Sequence, residues 1–253
     1  TFNINVNGTI NILDIVRSSR FVKSLIAVTS DKCYENIGKN RGYVETDKLG
    51  GSDPYSASKA ATELVVNSYY KSFFEGKIKC GISSARAGNV IGGGDWSRNR
   101  LIPDCIKSLL ANKEIFLRNP DYTRPWQHVL EPLCGYLILA KKQYEAPHKF
   151  SGAWNFGSNP NSIVSVKKIT ELIIQSWGSG KIRSKKNKFK EQKLLQIASE
   201  KSKKYLSWKP NFNIKKAVEV TSDWYFYVEK KGIDPIKITN QQINEYTINI
   251  KKN

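Results

Sequence analysis

The chain has 253 residues, 40% of them hydrophobic and 25% charged, which is enough for one large or two modest globular domains. Its longest apolar run, 133–140, is far shorter than the ~20 residues of a membrane-spanning helix, so we expect no membrane partner. The formal net charge of +19 comes from lysines spread along the chain. The densest basic run, 181–193, contains one aromatic residue and lacks the aromatic pattern on which bases stack, so we expect no nucleic-acid partner.

Four cysteines are widely spaced along the chain, at Cys33, Cys80, Cys105 and Cys134. They form no CxxC pair, and the two histidines do not cluster with them. This spacing argues against both a zinc site and a disulfide framework. We therefore predict no metal, unreactive thiols and a cytoplasmic location, since the cytosol keeps thiols reduced.

Two apolar runs in the first half of the chain, 22–28 and 78–87, have the length of buried strands. The helix between them is predicted to begin at Pro54, with Asp53 as its N-cap. A stripe on this helix is predicted to pack on the sheet: Ala57, Ala61, Leu64, Val65 and Ser68. The other elements predicted here are an amphipathic helix over 1–19 and a polar loop over 31–52.

A strand, a crossover helix and a second strand indicate a right-handed βαβ unit in a parallel sheet. Ligands of such sheets bind beyond the carboxyl ends of the strands. The segments 29–31 and 87–89 follow the two predicted strands, so we expect both to border one crevice.

The second half of the chain has a more mixed pattern. Its predicted elements are helices over 101–110, 131–142 and 166–177, strands over 114–117 and 153–156, helical segments at 191–205 and 214–230, and a docked or loose tail without a strong period over 233–253. The predicted fold class is α/β, a doubly wound parallel sheet of the Rossmann kind with a smaller mixed α/β substrate domain. We assign 1–97 and 120–157 to the sheet domain, and 98–119 and 158–253 to the smaller domain.

Tyr55 and Lys59 stand four positions apart at the start of the predicted helix, so they lie on one helical face. A nearby ammonium favours the phenolate form of a tyrosine. This pair therefore predicts a general base that takes the proton of an alcohol.

The motifs TSDK at 29–32 and YSASK at 55–59 resemble the signature of the extended short-chain dehydrogenase/reductases. Three longer segments closely resemble the CDP-glucose 4,6-dehydratases, a nucleotide-sugar branch of that family: SARAGNVIGGGDWSRNRLIPDCI from 84, RNPDYTRPWQHVLEPLCGYL from 118 and AWNFG from 153. The resemblance covers residues 1 to about 230. It implies a hydro-lyase that uses NAD and makes a 4-keto-6-deoxy sugar nucleotide for cell-surface polysaccharide synthesis.

The resemblance also implies a role for each residue of the two motifs. Tyr55 would take the proton of the sugar C4 hydroxyl while hydride passes from C4 to NAD, and Ser30 would hydrogen-bond the C4 oxygen. Lys59 would hold the nicotinamide ribose. Asp31 would protonate the departing C6 hydroxyl, and Lys32 would act at C5.

Other positions are implied to bind the cofactor or the substrate. The cofactor contacts would include Asn5 and Thr29 in addition to Tyr55 and Lys59. The substrate contacts would be Asn89 at the sugar or its phosphate, Arg100 and Leu101 beside the nucleotide, and Arg124 at the diphosphate. His128 is given no part in the chemistry, and the glycines at 92–94 are interpreted as conformational freedom near the nucleotide.

Lys32 leaves two mechanisms open. Related dTDP- and GDP-sugar dehydratases resemble this chain but carry a glutamate at this place as the base, so lysine favours CDP-glucose as the substrate. Only a neutral amine can accept the C5 proton. Alternatively, a charged Lys32 stabilises the enolate while another group takes the proton.

The resemblance further implies that about 80–100 residues with the glycine-rich cofactor turn precede Thr1. On that expectation, the 253 residues alone would be poorly soluble and would not bind NAD, whereas the full-length protein would be a homodimer. Lys190 stands where the family usually has a histidine. The alternatives are another nucleotide-sugar dehydratase, a 4-epimerase of the same fold, or an inactive basic binding protein.

Overall fold

A computed structural model describes residues 1–77, 80–184 and 194–252, so Lys190 and the centre of the basic run lie outside the described residues. In chain order the helices are α1 (Gly8–Ser18), α2 (Pro54–Tyr69), α3 (Leu101–Leu110), α4 (Leu130–Glu145), α5 (Val166–Trp177), α6 (Glu200–Leu206), α7 (Ile214–Tyr225) and α8 (Pro235–Lys252). The strands are β1 (Ser24–Val28), β2 (Gly81–Arg86), β3 (Val90–Ile91), β4 (Ile115–Leu117), β5 (Thr123–Pro125), β6 (Gln127–His128), β7 (Gly152–Asn155), β8 (Ile163–Ser165) and β9 (Ile182–Ser184).

The chain divides into two compact units. The first comprises Thr1–Gly88, Pro132–Gly157 and Leu195–Lys209, and the second comprises Asn89–Glu131, Ser158–Leu194 and Pro210–Asn253. Relative to the boundaries drawn from the sequence, 89–97 and 120–131 group with the second unit because β3 pairs with β6. The segment 195–209 groups with the first unit because Ile197 pairs with Tyr43 there.

The first unit is built on a three-stranded parallel sheet in the order β1-β2-β7. β2 is buried at every residue, as expected for the central strand of a sheet covered on both faces. Ile82 packs with residues of α1 and α2, whereas Ala85, on the opposite face, packs with residues of α4 and β7. The α/β class and the parallel sheet predicted from the sequence are therefore confirmed.

One face of α2 differs from the prediction. Leu64 and Ser68, which were expected to face the sheet, are exposed. The buried positions are instead mostly polar: Ser56, Ser58, Ala60, Thr62, Glu63 and Val66. The predicted stripe is therefore wrong at Leu64 and Ser68, whereas Val65 packs against the core, and the helix contacts the sheet partly through hydrogen bonds.

The described residues of the second unit form three two-stranded sheets, β3-β6 and β4-β9, which are parallel, and β5-β8, which is antiparallel. The predicted bounds of α3 and α5 agree with the structure. The segment 233–253 was predicted as a docked or loose tail without a strong period; most of it forms the helix α8, which is docked through Tyr246.

The buried carboxylate of Glu131 binds α8 within the second unit through a hydrogen bond to Tyr246. Glu131 accepts hydrogen bonds from the Tyr246 hydroxyl at 2.8 Å and from the backbone N–H groups of Asn211 and Phe212. The rings of Phe212 and Tyr246 also make an edge-to-face contact. Ile238 and Tyr246 are both buried and stand eight residues apart, which is close to two turns of a helix. This spacing is the sequence signal that could have predicted α8.

The four cysteines are free thiols. Burial raises the pKa of Cys80 to about 11 and that of Cys105 to about 12, and it also raises the pKa of Cys33. These three thiols therefore stay protonated near neutral pH. Among the residues that the structure describes, no helix combines the length and the apolar character needed to cross a membrane.

We expect His128 to make the stability of the protein depend on pH. Its ring is 2% exposed and its Nδ1 accepts a hydrogen bond from the Leu130 N–H, so burial lowers the pKa of His128 to about 4. As pH falls from about 6.5 to about 4, the unfolded chain takes up a proton that the folded chain does not. This difference should lower the free energy of unfolding by about 3 kcal/mol.

Urea titrations over this pH range test the expectation. His128→Asn can keep an acceptor for the Leu130 N–H, and its free energy of unfolding should change less with pH than that of the wild type. The control is His148→Asn, because His148, the second histidine of the chain, is exposed. Equal pH dependence in His128→Asn and the wild type would contradict the assignment.

Candidate active site

The polar segment after β1 is held by the backbone of the segment that includes β2. β1 ends at Val28, and the Thr29 N–H donates to the Ala85 carbonyl at 2.9 Å. The Asp31 N–H then donates to the Ala87 carbonyl at 3.1 Å. The carboxyl ends of the two neighbouring strands are therefore joined where the sequence predicted a crevice.

Ser30, Asp31 and Lys32 form a short hydrogen-bonded turn. Ser30 caps the 3-10 helix Asp31–Cys33 by accepting from the Lys32 N–H at 3.2 Å. The Ser30 hydroxyl also donates to Asp31 Oδ1 at 2.8 Å. Ser30 and Asp31 are both buried, whereas Lys32 is half-buried. The turn thus pairs a hydroxyl with a carboxyl group at the end of β1.

Gly88 lies directly against the Asp31 carboxyl group. A Cβ atom at this position would stand 2.2 Å from Asp31 Oδ2 and 2.4 Å from Asp31 Cγ. Real Cβ contacts are never this short, so any larger residue at 88 would force the carboxyl group to move. The glycine therefore sets the space that Asp31 occupies.

The start of α2 agrees with the sequence prediction. The Asp53 side chain accepts from the N–H groups of Tyr55 and Ser56 and from the Ser56 hydroxyl, and Pro54 opens the helix. These hydrogen bonds, and then the charge of the Lys32 ammonium, hold the pKa of Asp53 below its usual range. The cap fixes Tyr55 in the first turn, where its side chain is 44% exposed.

Lys59 links α2 to the end of β1. Its Nζ donates to the Val28 carbonyl at 3.1 Å. Burial lowers the pKa of Lys59, and the negative charge of Glu63 opposes that change. The five residues predicted to be catalytic therefore lie on two adjoining elements, the end of β1 with its turn and the first two turns of α2.

The two predicted cofactor residues other than Tyr55 and Lys59, which are Asn5 and Thr29, both contact α2. Asn5 Nδ2 donates to the Ser58 hydroxyl at 2.9 Å, and the Asn5 carbonyl accepts from the Thr62 hydroxyl at 3.0 Å. The buried Thr29 hydroxyl donates to Glu63 Oε1. Sequence reasoning missed Glu63, because nothing in the motif spacing showed that it is buried.

The second unit contains a cleft of about 510 Å³, a size suited to a small molecule. Leu101 and Arg124, two of the predicted substrate residues, both line it. Further lining residues include Asn99, Phe116, Arg118 and Tyr122. The structure thus brings two predicted contacts together with a second guanidinium, that of Arg118, and with two aromatic rings.

The remaining two predicted substrate residues do not line this cleft. Arg100 precedes α3, and its exposed side chain lies 3.4 Å from the Asp95 carboxylate. Asn89 has a left-handed backbone with φ of 47°, and its carbonyl accepts from the Gln127 N–H at 3.2 Å. Their contact with a substrate stays a prediction.

The glycines at 92–94 are explained by close packing as well as by conformational freedom. A Cβ atom at Gly93 would stand 2.1 Å from Trp224 Cγ, so the indole ring lies on this backbone. Gly94 does need a glycine for its φ of 80°. The segment is therefore shaped by Trp224 as well as by the freedom of its backbone.

Comparison with known proteins identifies the family of this chain. The sequence model of a family described as GDP-mannose 4,6 dehydratase matches residues 1–221. CDP-glucose 4,6-dehydratase of Salmonella typhimurium is 36% identical over 252 residues, which cover 97% of this chain and 70% of that relative.

Solved structures of a dehydratase and an epimerase have folds similar to that of this chain. A dTDP-glucose 4,6-dehydratase from Bacillus anthracis, in complex with NAD, has a TM-score of 0.75 at 25% identity and covers 90% of this chain and 70% of its own. A UDP-glucuronic acid 4-epimerase from Bacillus cereus, in complex with NAD, shares the fold, with a TM-score of 0.71 at 18% identity over 89% of this chain and 67% of its own. On the extent of these matches, the chain belongs to the GDP-mannose 4,6 dehydratase family.

Proposed function

We propose that the protein is an NAD-dependent hydro-lyase that converts CDP-glucose to CDP-4-keto-6-deoxyglucose. The observation that carries the proposal is the junction of β1 and α2. There, the Ser30–Asp31 pair and the Tyr55–Lys59 pair are tied together by the hydrogen bond from Lys59 to Val28. The identity to a CDP-glucose 4,6-dehydratase favours cytidine as the base.

The residues at this junction fit the nicotinamide ribose of NAD. Lys59 has one donor on Val28 and two further N–H donors, and the phenol of Tyr55 is accessible. Asn5 lies against α2 one turn away from Tyr55. When bound, NAD would accept hydride from the sugar C4 and return it at C6.

Tyr55 and Ser30 would act on the C4 hydroxyl. The exposed phenol of Tyr55 can take the hydroxyl proton as a general base. The Ser30 hydroxyl accepts from the Lys32 N–H, and by turning its one proton from Asp31 to the C4 oxygen it can hydrogen-bond that oxygen. Oxidation at C4 then makes the neighbouring C5–H acidic.

Asp31 and Lys32 would complete the elimination of water. Asp31, whose carboxyl group lies against Gly88, would give its proton to the departing C6 hydroxyl. Lys32 is half-buried in the same turn as Asp31, and its charge helps to lower the pKa of Asp53, the N-cap of α2. In the neutral form it would accept the C5 proton, and in the charged form it would stabilise the enolate.

The direct test is turnover by the full-length protein that carries these residues. We expect NAD-dependent conversion of CDP-glucose to a 4-keto product, detected by its absorbance at alkaline pH. Turnover of dTDP-glucose or GDP-mannose in preference to CDP-glucose would contradict the cytidine assignment. Formation of a C4 epimer without loss of water would contradict the dehydratase assignment.

In the second unit, we propose that Arg124 binds the diphosphate of the nucleotide. Replacing it as Arg124→Lys keeps the charge but removes the bidentate fork, so KM for the nucleotide sugar should rise about tenfold with kcat little changed. Arg183→Lys is the matched control, because Arg183 lies on a strand of the same unit and is not a lining residue of the cleft. An unchanged KM in Arg124→Lys would contradict the role.

The close contact of Gly88 with Asp31 gives a prediction on the chemical step. Gly88→Ala should displace the carboxyl group by a fraction of an ångström or more and lower kcat by about 10²-fold, with KM nearly unchanged. Gly8→Ala is the control, because a Cβ atom there meets open space in a helical backbone. Equal kcat values for Gly88→Ala and the wild type would show that the position of Asp31 is not critical.

We also propose that the protein is a cytoplasmic homodimer. Support for the dimer comes from exposed apolar side chains on two neighbouring helices, Ile12 and Ile15 on α1 and Leu64 on α2. Support for the location comes from the four free thiols. Light scattering of the full-length protein should give twice the subunit mass, and Leu64→Asp should lower it.

A further inference from the structure

The side-chain carboxylate of Glu63 accepts hydrogen bonds from the end of β1 and from β2, the two strands beside α2. It lies one turn beyond Lys59 and is 3% exposed. Thr29, at the end of β1, donates to its Oε1. From β2, the Ser84 hydroxyl and the Arg86 guanidinium donate to its Oε2, each at 2.6 Å. One carboxylate therefore joins α2 to two strands.

Arg86 fixes the other side of this carboxylate. Its Nη1 donates to the Tyr34 hydroxyl at 2.6 Å, and that hydroxyl donates to Asn155 Oδ1 at 2.8 Å. Burial lowers the pKa of Arg86, but the hydrogen bond and charge of Glu63 outweigh this and hold the pKa above its usual range. The guanidinium of Arg86 is therefore charged at every physiological pH, and hydrogen bonds anchor both partners.

Two links, one helical turn apart, connect α2 to consecutive residues of the same strand end. Lys59 reaches the Val28 carbonyl, and Glu63 reaches the Thr29 hydroxyl. A single link would let the helix slide or turn about the contact, whereas two links define its position along the strand. Thr29 precedes Ser30 directly, so this attachment also fixes the start of the Ser30–Asp31 turn.

We propose that Glu63, acting through the Thr29 hydroxyl, is a positioning residue that sets the distance between Ser30 on the β1 turn and Tyr55 on α2. The inference rests on the proposed function, since these two groups must meet the same sugar oxygen. Neither Glu63 nor the Thr29 hydroxyl needs to touch the substrate for this role. Loss of the link should therefore slow the chemical step and leave binding of the sugar nucleotide intact.

Thr29→Val and Thr29→Ser in the full-length protein test the link. Valine keeps the shape of threonine but cannot donate to Glu63, so kcat should fall by about 10²-fold while KM for CDP-glucose and for NAD stays within about threefold. Serine keeps the hydroxyl and should restore kcat to within about threefold of the wild type. Thr221→Val is the matched control, because Thr221 is also buried but donates to the Ala217 carbonyl within α7.

Glu63→Gln provides a second variant. An amide replaces one of the two acceptor oxygens with a donor, which then faces the donors of Arg86 or Thr29, so kcat should fall at least as far as in Thr29→Val. If Glu63→Gln fails to fold, the two Thr29 variants decide the matter. Thermal unfolding of each variant separates loss of folded protein from loss of rate.

Each outcome has a separate meaning. A wild-type protein that does not convert CDP-glucose overturns the proposed function, whatever the variants do. A converting wild type with unchanged kcat in Thr29→Val overturns the positioning role alone. A raised KM for NAD with unchanged kcat also overturns it, because Thr29 would then be a cofactor contact.

Discussion

Tyr55→Phe should abolish most turnover without loss of the fold. The substitution removes the oxygen that takes the C4 hydroxyl proton, and loss of a general base costs about 10²–10⁴-fold in rate. The ring is 44% exposed, and within the described part of the chain its hydroxyl has no hydrogen-bond partner. The free energy of unfolding should therefore change by less than about 0.5 kcal/mol.

Steady-state kinetics with CDP-glucose and urea titration of the same samples measure the two effects. Tyr205→Phe is the matched control, because Tyr205 is similarly exposed, at 52%, and lies on α6, which contains neither motif. A Tyr55→Phe protein that keeps wild-type kcat would show that another group takes the proton. A protein that instead loses its fold would show a structural role for the phenol.

Elements with a strong local signal could be predicted from the sequence. Asp53 and Pro54 define the start of α2 by their own chemistry, and α5 has a Ser165 cap and a final Gly178 in the left-handed region. The Tyr55–Lys59 spacing placed both residues on one face of a helix. Helix periodicity and caps depend on residues close together in the sequence, so they can be recognised without knowledge of the fold.

Features that depend on distant partners could not be predicted. Burial of Glu63 requires Arg86, which is 23 residues away, and Tyr34 reaches Asn155 across 121 residues. The closeness of Gly88 to Asp31 likewise follows only once β1 and β2 are paired. In each case the environment of the residue is set by tertiary hydrogen bonds or packing. The pattern of apolar residues along the sequence does not show these contacts.

The C-terminal segment that forms α8 is a helix that the local sequence did not predict. The segment that forms α8 is rich in asparagine, glutamine and threonine, and its apolar residues give no strong period. It is nevertheless helical because Tyr246 finds a buried partner in Glu131 and Ile238 is buried. Most helical stability in proteins comes from such tertiary packing and not from local preference.

Arg86→Met should give the largest loss of stability among the substitutions considered. It leaves the Glu63 carboxylate buried without its cation, and breaking a buried pair in this way costs about 3–5 kcal/mol. It also removes the donor to the Tyr34 hydroxyl. Urea or thermal unfolding should show a drop of this size, several times larger than the loss of an exposed ion pair.

The double substitution Arg86→Met with Glu63→Leu separates the pair from the general packing of the arginine. Removing both charges relieves the uncompensated carboxylate, so the double variant should be more stable than Arg86→Met alone. Arg20→Met, at an exposed position, is the control for the substitution itself and should change the free energy of unfolding by less than about 0.5 kcal/mol. If the double variant is less stable than Arg86→Met, the carboxylate is satisfied by Thr29 and Ser84 without the guanidinium, and the charge of Arg86 is not what holds Glu63 in place.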